Sequence, residues 1–431
     1  MSGPDASTLV QLKAGSPLSG TLAAPASKSL TNRALIAAAL ASGTSVLHGV
    51  LASDDTAAMR GAVGALGAVI EDGPGVVRIG GTAGAPGAPD RPVDARLSGT
   101  TMRFVIAMAA LVPTRATVTG QQPLLRRPVA PLTAALRALG AQAQDAAGFP
   151  PATVGGGIAG GEVIVDIAAS SQFVSAVLLV APYARRDVIV SAVGQAADAY
   201  IEMTVDLMRR WGAVVLDEAP RRWRVVAGAG YRAQEEAVDY DASAAAHLFC
   251  LAAATAGRVT VTNALPTTLQ PDAQIADVLR EMGCDVLRDG NALMVTGPAR
   301  LQPVEVDMAA MPDQVTTVAA LAVLAHGRTV IRGAAVTRGH ETNRLAALAT
   351  ELRKLGVPVQ EHPDGLTIHG GSAAGPARLA TYGDHRLAMA FAAIAARVPG
   401  VAIEDPGCVR KTYPDFWDDV TRLGGVVRFG R

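Results

Sequence analysis

Cysteine is nearly absent from this chain. Its three copies, Cys250, Cys284 and Cys408, are far apart, odd in number and never in a CxxC pair. That excludes a disulfide framework and a zinc site, and leaves free thiols in a reducing cytoplasm as the expectation. Net charge is missing too. The chain has 38 basic and 38 acidic residues, so nothing asks for a nucleic-acid or membrane partner. No apolar run reaches the roughly 18 residues that a membrane helix needs. The longest, residues 242–256, carries His247 and Cys250 and suits a core helix. Residues 1–12 show no charged-then-apolar leader pattern. Aromatics make up only 4%, while Ala, Val, Leu and Gly dominate, which suits helices packed tightly on sheets.

Against these absences stand 431 residues, half of them apolar and 18% charged. Such a chain is too long for one small core and too apolar for disorder, and its length suggests two or three domains. The strongest pattern is an internal repeat. Ala-rich helical runs begin near Arg33, Arg103, Phe173, Ala244, Gln314 and Arg386, at steps of 70 to 72 residues. A short β-rich segment follows each run, then a second helix that usually ends in glycine, as at Gly67, Gly140, Gly212, Gly283 and Gly356. Glycine just past a helix end supplies its left-handed cap. Each unit therefore reads as βαβαββ, below the size at which one core is comfortable. Six units divide into two groups of three. The expected fold is α/β with two similar domains, helices buried and sheets outside. The boundary is expected near residues 238–241. The residues before Lys28 are expected to cross over and pair with the second half. One domain is then residues 27–239, the other residues 1–26 plus 240–431.

The unusual polar residues gather at helix starts. Ser27-Lys28-Ser29 and Arg33 flank the first, Ser98-Gly99-Thr100-Thr101 and Arg103 the second, and Ser170-Ser171-Gln172 the third. Pro312-Asp313-Gln314 and Asp384-His385-Arg386 flank the fifth and sixth. Second-helix starts add Arg126-Arg127, His340-Glu341 with Arg344, and Arg410-Lys411. A helix N-terminus offers free N–H groups and partial positive charge, and hydroxyls there cap or donate. Gly99 lets a ligand approach the backbone. Equivalent helix ends from both domains are expected to face one cleft as a trap for anions. Asp313 and Glu341 stand among these cations. A carboxylate so placed serves as a base, and partial burial fits it to act as an acid. One such residue alone has an ordinary reading as a surface cation or helix cap; recurrence at the same place in successive repeats argues for a site.

With these residues in view, the chain resembles the EPSP synthase (3-phosphoshikimate 1-carboxyvinyltransferase) family over nearly its whole length. The family pattern PGSKSxxNRAL stands here as residues 25–35, AGTxxR as residues 98–103, and SSQF as Ser170 to Phe173. RP is Arg127-Pro128, PD is Pro312-Asp313, and KETDR is His340 to Arg344. DHRMAM is Asp384 to Met389, and AKTFPD is Arg410 to Asp415. The resemblance implies an inside-out α/β barrel in each domain and an open form that closes like jaws. It implies transfer of the carboxyvinyl group of phosphoenolpyruvate to the 5-hydroxyl of shikimate 3-phosphate, with loss of phosphate and no metal or organic cofactor. By the same carry-over, Lys28, Gly99, Arg127, Gln172, Arg344, Arg386 and Lys411 hold phosphoenolpyruvate. Lys28, Ser29, Arg33, Ser170, Ser171, Gln172, Tyr200, Asp313 and His340 hold shikimate 3-phosphate. Asp313 accepts the hydroxyl proton, while Glu341, Lys28 and Lys411 serve the enol carbon and the leaving phosphate. Gly99 leaves room for glyphosate. A monomeric cytoplasmic enzyme with small anionic substrates is expected.

Four positions depart from the pattern. His340 stands where Lys is frequent, Ala197 where Ser is frequent, Leu97 for Asn and Ala26 for Gly. One lost charge-assisted hydrogen bond to phosphate costs about 1.5–3 kcal/mol. These departures imply weaker binding of phosphoshikimate or a related cyclic alcohol as acceptor. The similar UDP-N-acetylglucosamine enolpyruvyl transferases usually carry a Cys in the loop that here spans residues 120–127, and this loop has none. A non-catalytic anion-binding protein on the same repeat would lack Asp313, Glu341 or Lys411, and all three are present. RNA-end cyclases share a related unit, but the balanced charge speaks against nucleic acid.

Overall fold

The structure, a computed structural model, describes residues 9–194 and 197–430. Residues 1–8 of the expected discontinuous domain, and Gln195-Ala196 in the segment leading to Tyr200, lie outside the described residues. The chain divides into two compact units. One is Ala26–Asp239; the other joins Met1–Pro25 to Tyr240–Arg431.

The first unit holds helices α1 (Lys28–Leu40), α2 (Asp54–Ala65), α3 (Gly99–Ala109), α4 (Ala130–Ala138), α5 (Gln172–Val180) and α6 (Ala199–Arg210). The second holds α7 (Ala242–Thr255), α8 (Ile275–Glu281), α9 (Val315–Leu324), α10 (Arg344–Arg353), α11 (His385–Arg397) and α12 (Phe416–Arg422). The odd-numbered helices are buried along almost their whole length. Runs such as Ala37-Ala38-Ala39 show why: small side chains on every face let a helix be surrounded. Three four-stranded sheets cover the helices of each unit. Their strands alternate buried and exposed residues, as in Arg115–Thr119, so one face packs inward.

One topology recurs six times. Val93–Asp94 runs parallel to Arg115–Thr119, which pairs antiparallel with Phe149–Gly155, and Gln142–Ala146 closes the edge. Along the sheet the order is first, second, fourth, third strand, and the other five sheets repeat it. Three sheets borrow a strand from far along the chain. Glu235–Ala237 lies parallel to Thr44–His48 and supplies the strand that the first repeat lacks. Gly20–Leu22 does the same beside Arg258–Val261. Leu9–Leu12 sits between Val401–Glu404 and Val427–Gly430. Each unit is thereby closed into a ring of three repeats.

All six second helices are followed by a glycine at positive φ, from 75° at Gly356 to 100° at Gly67. The cations read as marking two second-helix starts stand ahead of the helices themselves. Arg126 and Lys411 each end a 3-10 turn, Leu124–Arg126 and Pro406–Lys411, and the helices start at Ala130 and Phe416. The cause is proline. A residue before proline is pushed out of the helical region, and Arg127, before Pro128, is extended at φ −91° and ψ 131°.

Two glycines separate local strain from close packing. A Cβ at Gly155 would lie 1.9 Å from the carbonyl oxygen of Thr114, whereas Gly75 (φ 71°) faces open space. Gly75→Ala should cost roughly 1 kcal/mol of stability. Gly155→Ala should cost clearly more, roughly 3 kcal/mol, because backbone must move. Urea unfolding midpoints measure both; equal losses would contradict the packing at Gly155.

Candidate active site

In the unit containing residues 240–431, five of the residues singled out from sequence meet around one guanidinium. Asp313 lies on the turn Pro312–Gln314 before α9, Glu341 just before α10, Arg344 at the start of α10 and Arg386 in the first turn of α11. Arg344 is 1% exposed. Its Nη1 donates to Asp313 Oδ1 at 2.7 Å and its Nη2 to Glu341 Oε2 at 2.9 Å. Its Nε donates to Asp384 Oδ2 at 2.7 Å. Arg386 Nη2 donates to the second oxygen of Asp313 at 2.9 Å. Burial alone would lower the pKa of Arg344, but the carboxylates of Asp384, Glu341 and Asp313 outweigh it and raise the pKa. Burial alone would raise the pKa of Asp313. Arg386 and Arg344 overcome that and hold its carboxyl well below the usual range.

His340 has two neighbours at one nitrogen. Arg344 Nη1 is 3.1 Å from Nδ1, and Asp313 Oδ1 is 3.4 Å from it. A guanidinium only donates, so the closer contact makes Nδ1 an acceptor and puts the ring proton on Nε2. The ring is then neutral, and its approach to Asp313 is not an ion pair. Burial also lowers its pKa. Lys411 ends the turn Pro406–Lys411, which packs on α11, and is itself buried.

In the unit Ala26–Asp239 the cations have different company. Arg33 is 2% exposed, and its three hydrogen bonds go to uncharged oxygens: Thr204 Oγ1, the Ser29 carbonyl and the Tyr200 carbonyl. Burial pushes its pKa down to about 10. Its guanidinium carbon lies 5.4 Å from the Phe104 ring centroid, and that of Arg103 lies 5.0 Å from the Phe173 centroid. These cation–π contacts link α1 to α3 and α3 to α5. Arg103 Nη1 donates to Ser170 Oγ and Gln172 Oε1 at 3.2 and 2.7 Å. Ser170 Oγ also accepts from the Gln172 backbone N–H, while Ser171 makes no side-chain cap to α5. Lys28 Nζ sits 3.6 Å from the buried Asp55. A Cβ at Gly99 would stand 2.6 Å from Arg127 Nη1, so the missing side chain is what lets that guanidinium lie against the start of α3. Ala197 is buried just ahead of α6.

The residues found from sequence thus fall into two sets. Asp313, His340, Glu341, Arg344 and Arg386 form one cluster. In the other unit Ser29, Arg33 and Tyr200 belong together, Ser170 and Gln172 gather on Arg103, and Gly99 stands against Arg127. The sequence reading gave no role to Asp384, Asp55 or Thr204. Asp384 was visible as a helix cap in Asp-His-Arg, and Asp55 follows the capping residue Ser53. No signal marked Thr204. Among the described residues, no group of three or more His, Cys, Asp or Glu is placed to hold a metal, and no helix is long and apolar enough to cross a membrane.

Two rings of three βαβαββ repeats, with Lys28, Arg103 and Arg386 at the starts of inner helices, define the enolpyruvyl transferase class of fold. The enolpyruvyl transferase NikO from Streptomyces tendae matches it with a TM-score of 0.81 at 18% identity, over 100% of this chain and 99% of that one. EPSP synthase from Acinetobacter baumannii matches with a TM-score of 0.83 at 25% identity, covering 99% of this chain and all of the other. The family model for EPSP synthase (3-phosphoshikimate 1-carboxyvinyltransferase) matches residues 12–420. A 3-phosphoshikimate 1-carboxyvinyltransferase of Methanoculleus marisnigri is 39% identical over 95% of this chain and 98% of its own length. One from Nostoc punctiforme is 39% identical over 93% and 95%. The chain belongs to the EPSP synthase family.

Two measurements probe these clusters. Gly99→Ala should displace the Arg127 guanidinium and raise the Michaelis constant for phosphoenolpyruvate about tenfold, the loss of roughly one hydrogen bond to a charged group; an unchanged constant would remove Arg127 from that role. His247 on α7 is the second test. It is fully buried, and neither ring nitrogen has a hydrogen-bond partner among the described residues. Burial, then Arg386 and Arg344, hold its pKa well below 6.5. The unfolded chain therefore binds the proton first, and stability is lost as pH falls below 6.5. His247→Leu should remove roughly 2 kcal/mol of the stability difference between pH 7.5 and pH 5, read from urea unfolding at both pH values.

Proposed function

We propose that this chain transfers the carboxyvinyl group of phosphoenolpyruvate to the 5-hydroxyl of shikimate 3-phosphate and releases phosphate. This is the reaction for which its relatives in the shikimate pathway are named. One observation carries the assignment of roles: Asp313 spans Arg344 and Arg386, with one oxygen on each. Two guanidinium groups that close on a single carboxylate are set to receive the carboxylate of phosphoenolpyruvate. As that carboxylate takes over both arginines, Asp313 loses the cations that hold its pKa down and becomes a better base. It then accepts the 5-hydroxyl proton of the acceptor.

Glu341 and Lys411 serve the other carbon. Protonation of the methylene carbon places positive character on the central carbon, which the 5-oxygen attacks. Loss of phosphate and of one methyl proton restores the double bond. A carboxylate beside that carbon both passes the proton and stabilises the charge. Lys28, Arg127 and Lys411 balance the phosphate of phosphoenolpyruvate. Ser170, Ser171 and Gln172 take the 3-phosphate, with Tyr200 and His340 as further contacts. Ser29 and Arg33 take the shikimate carboxylate. The depressed pKa of Arg33 supports that role, since an arriving anion offsets a buried charge that now meets only neutral oxygens.

Ala197 favours a second reading, a related cyclic alcohol as acceptor, because it offers no hydroxyl to a 3-phosphate. A cytoplasmic monomer fits three unpaired cysteines, Cys250, Cys284 and Cys408.

Phosphate release from phosphoenolpyruvate and shikimate 3-phosphate tests the assignment. The unmodified protein should turn over, and Asp313→Ala should slow kcat by about 10²–10⁴-fold, the usual worth of a general base. No release by the unmodified protein overturns the reading in favour of another alcohol.

A further inference from the structure

We infer that Asp384 is a positioning residue for phosphoenolpyruvate, fixing the plane of the Arg344 guanidinium and the helix end that carries Arg386. The inference rests on the assignment of those two arginines to the phosphoenolpyruvate carboxylate.

Asp384 is fully buried. Its Oδ2 accepts from Arg344 Nε at 2.7 Å and its Oδ1 from Arg344 Nη2 at 3.2 Å. Two bonds along one edge fix a planar fork in orientation as well as place. The opposite edge is thereby aimed at Asp313 and Glu341. Oδ1 also accepts the backbone N–H of Arg386 at 2.9 Å, which makes Asp384 the N-cap of α11. His385 Nδ1 stands 3.8 Å from the same oxygen. One carboxylate thus sets the direction of the first arginine and the starting point of the second. That Asp313 is gripped by both shows they are set for a single carboxylate.

The arrangement is held from a second point. Glu351, two turns along α10 from Arg344, is fully buried and accepts from the Tyr382 hydroxyl at 2.7 Å, Ala380 N–H at 2.8 Å and Lys354 Nζ at 2.6 Å. The segment 380–384 is therefore tied to one face of α10 at both ends. Between the ties, Tyr382 and Gly383 adopt left-handed conformations at φ 55° and 70°. A non-glycine residue persists there only when its surroundings impose it. Asp384, Arg344 and Arg386 are in this way parts of one rigid piece.

Asp384→Asn keeps the size and the capping oxygen but removes the charge and turns an N–H group toward the Arg344 donors. It should raise the Michaelis constant for phosphoenolpyruvate about 10- to 100-fold. The constant for shikimate 3-phosphate should stay within about twofold, since Asp384 touches none of its assigned ligands. Asp384→Ser, which also caps a helix, is read the same way if the Asn variant does not fold. Glu351→Gln is the structural control: it leaves every Asp384 contact in place, so it should lower Tm and shift the ratio of the two Michaelis constants far less than Asp384→Asn does. Turnover by the unmodified protein is measured first, and its failure would sink the functional reading itself. With turnover present, three results would overturn the role of Asp384: an unchanged constant for phosphoenolpyruvate, an equal rise in both constants, or the same selective rise in Glu351→Gln.

Discussion

Everything at the candidate site turns on the cost of burying the Arg344 guanidinium. A cation removed from water is costly unless its donors find acceptors and its charge finds a counter-charge. Here three carboxylates surround it, and only Asp384 shares its depth. Asp313 and Glu341 keep 23% and 17% of their side chains exposed. The fixed partner and the exchangeable partners are thus distinguished by depth. On the proposed roles, a substrate carboxylate replaces an exposed carboxylate without adding desolvation at the arginine, whose burial is already compensated, and what it must supply is the displacement of Asp313.

The unit Ala26–Asp239 solves the same problem differently. Arg33 and Arg103 rest on aromatic faces and donate to hydroxyls, carbonyls and an amide. Neutral oxygens satisfy hydrogen bonds but leave the charge uncompensated, which is why the Arg33 pKa falls while that of Arg344 rises. The contrast has a chemical meaning. Carboxylates already gathered on Arg344 make the one cluster suited to exchange and proton transfer. Arg33, whose hydrogen bonds go to neutral oxygens, is on the proposed roles suited to retain an anion.

Much of this was legible in the sequence because it is local or periodic. Helix starts, glycine caps and the spacing of six similar runs need only near neighbours, and the polar residues at those starts were visible as departures from an apolar repeat. Long-range closure was not legible in register. The three-residue strand Gly20–Leu22 carries too little pattern to declare a partner more than 230 residues away in Arg258–Val261. Arg126 and Arg127 stand ahead of α4 because Pro128 keeps the residue before it extended, which a reading by charge alone overlooks. Asp384 stands where a helix cap belongs, and its ion pair was hidden because capping and ion pairing use the same residue type. Thr204 left no trace at all: a threonine inside a helix looks alike whether its hydroxyl serves its own backbone or a buried arginine 171 residues away.

On the proposed roles, the base and the binding site are not separable. Asp313 is held below the ordinary carboxylate range by the arginines proposed to take phosphoenolpyruvate. On the roles proposed above it is then a poor proton acceptor, and a cyclic alcohol bound alone meets a carboxylate already committed to two guanidinium groups. Only a second anion at those groups releases it.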